Sequence, residues 1–429
     1  MPNSDSSQQK ASSLWQNSSL LSLWGGELGS RVGESFFQIA LLWYLLEVTE
    51  STLATGFVTM ISFLPALVVG AWAGVLVDRW EFRRVMLVAN LFRASLTLSI
   101  PLLFLAGWLP VWLLGLLAFL MTACSAFFNP ARDAFIPLLT RQNDLLSANS
   151  LVQSAWQLSL LLGPFLAAIL LPFFPTVYLF GMVAIAFLLS YLVLLRVPSR
   201  PDSKEKDRNL ATNALAGFSQ EFRQGVAALV RDMRVLAIWI ITVFNNFFLM
   251  GPVIVGMPVY VKTYLGGTGS DFALVEGTYA GGMILATWII SRHGKGMDPT
   301  RMLFWGLIYD GLSYIPLLWV TSVEGTLVAI FIHALGIPAI TISRLTALHK
   351  IVPHALQGRV FSFFHLAVAG MMALSIGLVG LILTWLPANW LFLWTGIFSA
   401  SCGVIGLFLP LFRNGLGEGV PVAISPQPK

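Results

Sequence analysis

The sequence predicts an all-α membrane protein, with twelve transmembrane helices arranged as two pseudo-symmetric six-helix bundles. Three observations lead there. Hydrophobic residues make up 57% of the 429 and charged residues only 10%, where soluble domains average about 25% charged. Apolar runs of about 17 to 25 or more residues, long enough to cross hydrocarbon, recur twelve times along the chain. One long polar stretch, 197–232, divides them six and six.

The first six spans lie near 20–47, 53–77, 83–106, 110–129, 146–171 and 176–196. The second six lie near 233–263, 272–292, 301–322, 325–349, 357–386 and 389–412. Lysine and arginine say which face is which, because cytoplasmic gaps retain positive charge. Odd-numbered gaps hold almost none, Lys262 being the exception, whereas the tails and even-numbered gaps hold most. Both termini are therefore expected in the cytoplasm. The net charge of +5 is spread over separate loops, which suits anionic headgroups better than nucleic acid.

Residues 1–19, rich in Ser, Gln and Asn, read as a cytoplasmic tail with no cleavable signal, and 414–429 as a second tail. The bundles are expected over 20–196 and 233–413, joined by a cytoplasmic linker, 197–232. In its second part Phe218, Phe222, Val226, Leu229 and Met233 fall on one stripe at helical spacing, which predicts an amphipathic helix on the inner membrane surface. Cys124 and Cys402 both lie within spans and form neither a disulfide framework nor a metal site.

Weak echoes point to duplication. Arg83-Arg84-Val-Met-Leu opens the third span and Arg301-Met-Leu the ninth, while Asn129-Pro130-Ala131 is matched by Ile337-Pro338-Ala339. Paired repeats with a substrate site between them are a recurring transporter plan.

The first span carries the most informative chemistry. At about 100° per residue, Glu27, Arg31, Glu34 and Gln38 fall within roughly a 60° sector. Gly25, Gly29 and Gly33 recur on the opposite side, a face suited to close helix packing. With a rise of about 1.5 Å per residue, Glu34 lies roughly 21 Å in from residue 20 and Glu27 about 10 Å. A carboxylate that deep is costly unless paired, so Glu34 is the expected proton-coupling group, with a static Glu27-Arg31-Glu34 ladder as the alternative. Asp310 in the ninth span, Arg93 in the third and His333 in the tenth are further candidates. Asn245 and Asn246 beside Phe247 and Phe248 suit an amphipathic cargo or simple packing.

Between the second and third spans the chain writes Gly74-Val-Leu-Val-Asp78-Arg79-Trp-Glu-Phe-Arg83-Arg84-Val-Met-Leu87. These charges would each cost about 2.5–3.5 kcal/mol inside hydrocarbon, so they belong in the aqueous layer. The segment resembles the inner loop signature of the major facilitator superfamily, with Glu81 in place of the usual second Gly and Phe82 in place of the usual Arg. Phe63-Leu64-Pro65, Phe128-Asn129-Pro130-Ala131 and Gln357-Gly358-Arg359-Val360 are similar to the bacterial macrolide-efflux and siderophore-exporter branch. The resemblance implies a drug-type efflux transporter in the bacterial inner membrane, with Gly74, Asp78, Arg79, Arg83 and Arg84 as a cytoplasmic gate. Ser159-x-x-x-Gly163-Pro164-x-x-Ala167-Ala168 in the fifth span is similar to the family's antiporter motif. Pro164 there removes an intrahelical hydrogen bond and allows a bend.

No Gly-x-x-x-x-Gly-Lys-Ser/Thr loop appears, so no nucleotide site and no cofactor is expected. An ion gradient must then do the work: one charge crossing about 150 mV gains roughly 3.5 kcal/mol. The expected activity is proton-coupled efflux of an amphipathic small molecule, macrolide-like or siderophore-like, by a monomer. A lipid flippase or an importer of the same fold is the alternative. The remote one, a membrane-embedded enzyme, lacks support: the five histidines include no His-Glu-x-x-His spacing, and no serine or cysteine elbow is present.

Overall fold

The computed structural model describes residues 16–69, 73, 76–77, 80–141, 144–199, 229–294 and 296–412. Gly74, Asp78 and Arg79 of the loop signature lie outside the described residues. So does the linker stripe, apart from Leu229 and Met233.

The structure has the twelve-helix architecture expected. In chain order the helices are α1 Ser18–Thr49, α2 Thr52–Val68, α3 Phe82–Leu105, α4 Val111–Leu139, α5 Leu145–Leu170 and α6 Thr176–Leu194. They continue as α7 Met233–Tyr264, α8 Gly269–His293, α9 Pro299–Tyr314, α10 Val323–Ile351, α11 His354–Ile382 and α12 Ala388–Phe408. Nine of the described helices are long and apolar enough to cross a bilayer. Of the others, α1 carries the polar stripe, α2 is described over 17 residues and α9 over 16.

Three helices depart from the simple reading. The polar sequence after Asn129 suggested that the fourth span stops there, yet α4 continues to Leu139 through Pro130 and Pro137. Arg132 and Asp133 lie within this helix, and their charges find the partners described below. α10 breaks at Leu335–Gly336, just before Pro338, which lacks an amide proton and fits the first turn of a new segment. α7 passes through π turns at Pro252–Gly256 and Tyr260–Tyr264. There the Ser375 hydroxyl of α11 accepts from the Gly251 amide at 2.8 Å and donates to the Phe247 carbonyl.

The chain divides into two compact units, residues 1–211 with 266–277 and residues 212–265 with 278–429. In the first, α1 packs on α5 and α6, and α3 on α4 and α6. In the second the same pattern recurs six helices later: α7 on α11 and α12, α9 on α10 and α12.

Small residues set these close approaches. In the first unit Gly25, Gly26, Gly29 and Gly33 of α1 face Val193, Leu194, Ser190 and Phe187 of α6, so the expected glycine face is a helix contact. In the second unit a Cβ on Gly311 of α9 would run into the backbone of Gly396 and Ala400 in α12. A Cβ on Gly163 of α5 would likewise meet Ser35 of α1, so Gly163 and the buried Pro164 bring α5 against α1.

Candidate functional site

In the first unit the α1 stripe meets cations from two other helices. Arg31 reaches Glu27 through Nε at 2.7 Å and Glu34 through Nη1 at 2.9 Å, and its Nη2 donates to Asn129 Oδ1 of α4 at 2.7 Å. Arg132 of α4 pairs with Glu27 and, at 2.8 Å, with the exposed Asp133. Arg93 of α3 holds Glu34 at 2.7 Å, with Ser125 Oγ at 3.4 Å.

Arg93 is fully buried, its guanidinium 4.5 Å from the Phe128 ring centroid and 4.9 Å from that of Phe187. Its Nε and Nη2 have no hydrogen-bond partner among the described residues, and the two ring faces take up that side of the cation. Three guanidinium groups thus surround two carboxylates, and Glu34 touches two of the three. Removing its charge would leave Arg93 with no ion-pair partner among the described residues. Gln38 is half-buried on the same stripe.

In the second unit the structure brings together Asn245, Asp310 and His333, which the sequence offers only as separate candidates. Asp310 of α9 and His333 of α10 are both buried, with Asp310 Oδ1 and His333 Nε2 3.6 Å apart. Each of these two atoms has no hydrogen-bond partner among the described residues. Asp310 Oδ2 lies 2.6 Å from Ser399 Oγ of α12, which is also 2.8 Å from Asn245 Oδ1 of α7. Behind the imidazole, Ser313 Oγ is 2.9 Å from His333 Nδ1 and donates to the Asp310 carbonyl at 2.8 Å. Tyr314 packs on the His333 ring at 3.9 Å between centroids and Tyr279 of α8 at 6.1 Å.

Of the loop residues, Arg83 and Arg84 are described. Arg83 Nη2 donates to the Leu195 carbonyl at 2.8 Å, beside the C-terminal end of α6, where a cation also suits the helix dipole. Arg84 pairs with Glu81 at 2.6 Å while remaining largely exposed.

Sequence reading does not single out Arg132, Ser125, Ser313, Ser399 or Glu276. Signals existed for two of them: Glu276 is an acid inside an apolar run and is half-buried on α8, and Ser313 sits one turn after Asp310. Ser125 and Ser399 look like the other small hydroxyls of transmembrane helices.

The model of the family described as Major Facilitator Superfamily matches residues 23–323, well over half of the chain. The chain belongs to the Major Facilitator Superfamily. It resembles macrolide efflux protein A of Streptococcus pyogenes, 24% identical over 293 residues that cover 68% of this chain and 70% of that protein. It also resembles multidrug efflux pump Tap of Mycolicibacterium fortuitum, 25% identical over 403 residues, 90% of this chain and 94% of that one. The staphyloferrin A transporter of Staphylococcus aureus is 22% identical over 67% of this chain and 69% of its own. Among solved structures, a bacterial homologue of the human lysosomal transporter Spinster aligns with a TM-score of 0.71 at 15% identity, covering 94% of this chain and 98% of that one. A POT family transporter aligns at 0.70 and 17%, over 90% and 95%. These structural likenesses establish the superfamily fold. Membership makes the chain a multi-pass membrane transporter and sets aside the enzyme alternative.

Proposed function

We propose that the chain exports an amphipathic small molecule, macrolide-like or siderophore-like, from a bacterial cell in exchange for protons, working as a monomer in the inner membrane with both termini in the cytoplasm. The observation that carries this reading is the placement of ionisable side chains inside the spans of both units: Glu27 and Arg93 buried with Arg31 and Glu34 half-buried in one, Asp310 and His333 buried in the other. Charges at that depth are expensive and mark ion or proton pathways when they persist. The relatives named for macrolide, multidrug and siderophore transport favour a small-molecule cargo.

The bundles 20–196 and 233–413 rock about the linker in this scheme, the loop from Gly74 to Arg84 closes the cytoplasmic side, and α5 bends at Gly163–Pro164. Phe248, stacked on Phe398 at 4.2 Å between centroids, offers aromatic surface to the cargo, whereas Asn245 and Asn246 are buried and hydrogen-bonded to Ser399 and to the Thr242 carbonyl.

Purified protein in liposomes under an imposed pH gradient tests the reading, with radiolabelled erythromycin as probe. Cargo accumulation that follows the gradient, with matching proton flux, supports antiport. Movement of a fluorescent phospholipid that ignores the gradient, with no macrolide transport, would instead make the protein a flippase.

A further inference from the structure

We infer that the proton of this transporter is carried by the Asp310–His333 pair of the second unit, and that the α1 glutamates serve as a fixed counter-charge for arginine. The inference deepens the proton-export reading and rests on it only for the use to which the proton is put.

Hydrogen-bond accounting around the imidazole comes first. Ser313 has one hydroxyl proton and two acceptors within reach, the Asp310 carbonyl at 2.8 Å and His333 Nδ1 at 2.9 Å. When the carbonyl takes that proton, Nδ1 carries its own, and in a neutral imidazole the other nitrogen is bare. That nitrogen, Nε2, points at Asp310 Oδ1 across 3.6 Å, with no other partner for either atom among the described residues. Two lone pairs facing each other in a buried site repel, and a single proton placed between them turns the repulsion into an attraction. Whether it rests on oxygen or on nitrogen, the pair becomes neutral overall.

On the carboxylate's other side, Ser399 has one hydrogen to offer and finds Asp310 Oδ2 at 2.6 Å, Asn245 Oδ1 at 2.8 Å and the Leu307 carbonyl at 3.4 Å, so Oδ2 draws on one shared hydroxyl among the described residues.

Among the described residues nothing else nearby neutralises the charge. Facing the pair are Asn245 from α7, Tyr279 from α8, Ser313 and Tyr314 from α9, and Ser399 from α12. No lysine or arginine among the described residues forms an ion pair with Asp310. Deprotonated, the site carries a net negative charge in the low-dielectric interior, where uncompensated charge is severely penalised.

The repeat sharpens the contrast. Counted from Phe82, Arg93 is the twelfth residue of α3, and counted from Pro299, Asp310 is the twelfth of α9. On the partner helices, Phe187 is twelfth in α6 and lies under Arg93, while Ser399 is twelfth in α12 and binds Asp310. The two units thus put opposite charges at corresponding stations. In the first a permanent cation is matched by glutamate; in the second an anion is matched only by a group that must first bind a proton.

Infrared difference spectroscopy of the full-length protein in liposomes, titrated across neutral pH without cargo, tests the assignment. A protonated-carboxylic-acid band is expected that disappears in D310N and shifts its titration midpoint in H333Q. Absence of such a band in the unmodified protein, or its survival in D310N with loss in E34Q, overturns the inference. If D310N does not fold, as judged by size-exclusion chromatography, an unchanged midpoint in H333Q overturns it equally. Should the band behave as expected while erythromycin uptake ignores the pH gradient, the proton site stands and the export reading falls.

Discussion

Arg93 and Asp310 occupy equivalent places in two repeats and are solved electrostatically in opposite ways. The first unit surrounds its buried cation with anion and aromatic faces, so that Glu34 contacts both Arg93 and Arg31. The second leaves its buried carboxyl facing an imidazole nitrogen at 3.6 Å, neither atom having a hydrogen-bond partner among the described residues. Under the assignment inferred above, the first keeps its charge state through the cycle and holds helices together, and the second changes state. Burial alone does not distinguish the two; the number of permanent counter-charges does.

The largest test of this contrast is Glu34→Gln, which removes the anion with little change in volume. Breaking one side of a buried ion pair costs about 3–5 kcal/mol, and that loss is expected in thermal or SDS unfolding of the purified protein. A Glu34→Gln/Arg93→Gln double variant should recover part of it. A loss below about 1 kcal/mol in the single variant would mean that charge does not hold the first unit's network, and the comparison would break.

Ser399→Ala is the intermediate test. It strips Asp310 Oδ2 and Asn245 Oδ1 of a shared donor, and leaving a buried polar group unsatisfied costs about 1–3 kcal/mol. With Asp310 protonated, the oxygen left unpaired belongs to an uncharged acid, which keeps the cost near the lower limit. A cost above this range would point to an ionised Asp310, sharpening the comparison against the shared-proton assignment.

How much of this was legible in the sequence follows from what periodicity measures. The α1 stripe of Glu27, Arg31 and Glu34 and the opposing glycines could be placed because spacing reports which face of a helix a residue occupies. Nothing in spacing says which helix stands opposite. Arg93 lies 59 residues from Glu34, and Ser399 lies 89 from Asp310, so these closures had no local signature. Arg132 was hidden for another reason: the polar step after Asn129 looked like the end of a span, whereas α4 runs on through it and Arg132 pairs with Glu27 of α1. Asp310 and His333 were both visible as titratable residues in apolar runs, but their meeting depends on α9 packing on α10.

The smallest expected effect concerns the first helix of each unit, where the same division between fixed and titratable groups recurs. Asn17 caps α1, its side-chain oxygen accepting from the Leu20 amide at 3.1 Å, and Asp232 caps α7, accepting from the Arg234 amide at 2.8 Å. Burial acts to raise the Asp232 pKa, yet hydrogen bonds from the Arg234 side chain and from the Arg234 and Val235 amides outweigh it and hold the carboxyl below the ordinary aspartate range. A lowered pKa means that the carboxylate's contribution is complete above the unfolded-state value and is lost as pH falls through the folded-state value. Replacing either cap by alanine should cost about 1 kcal/mol near neutral pH. The Asn17→Ala penalty should then stay constant on acidification, whereas the Asp232→Ala penalty should shrink as the carboxyl of the parent protein takes up its proton. Parallel unfolding curves for both variants, measured from neutral to acid pH, check this. Equal shrinkage in the two would show that acid weakens helix ends generally, and the contrast between the units would then be confined to their buried interiors.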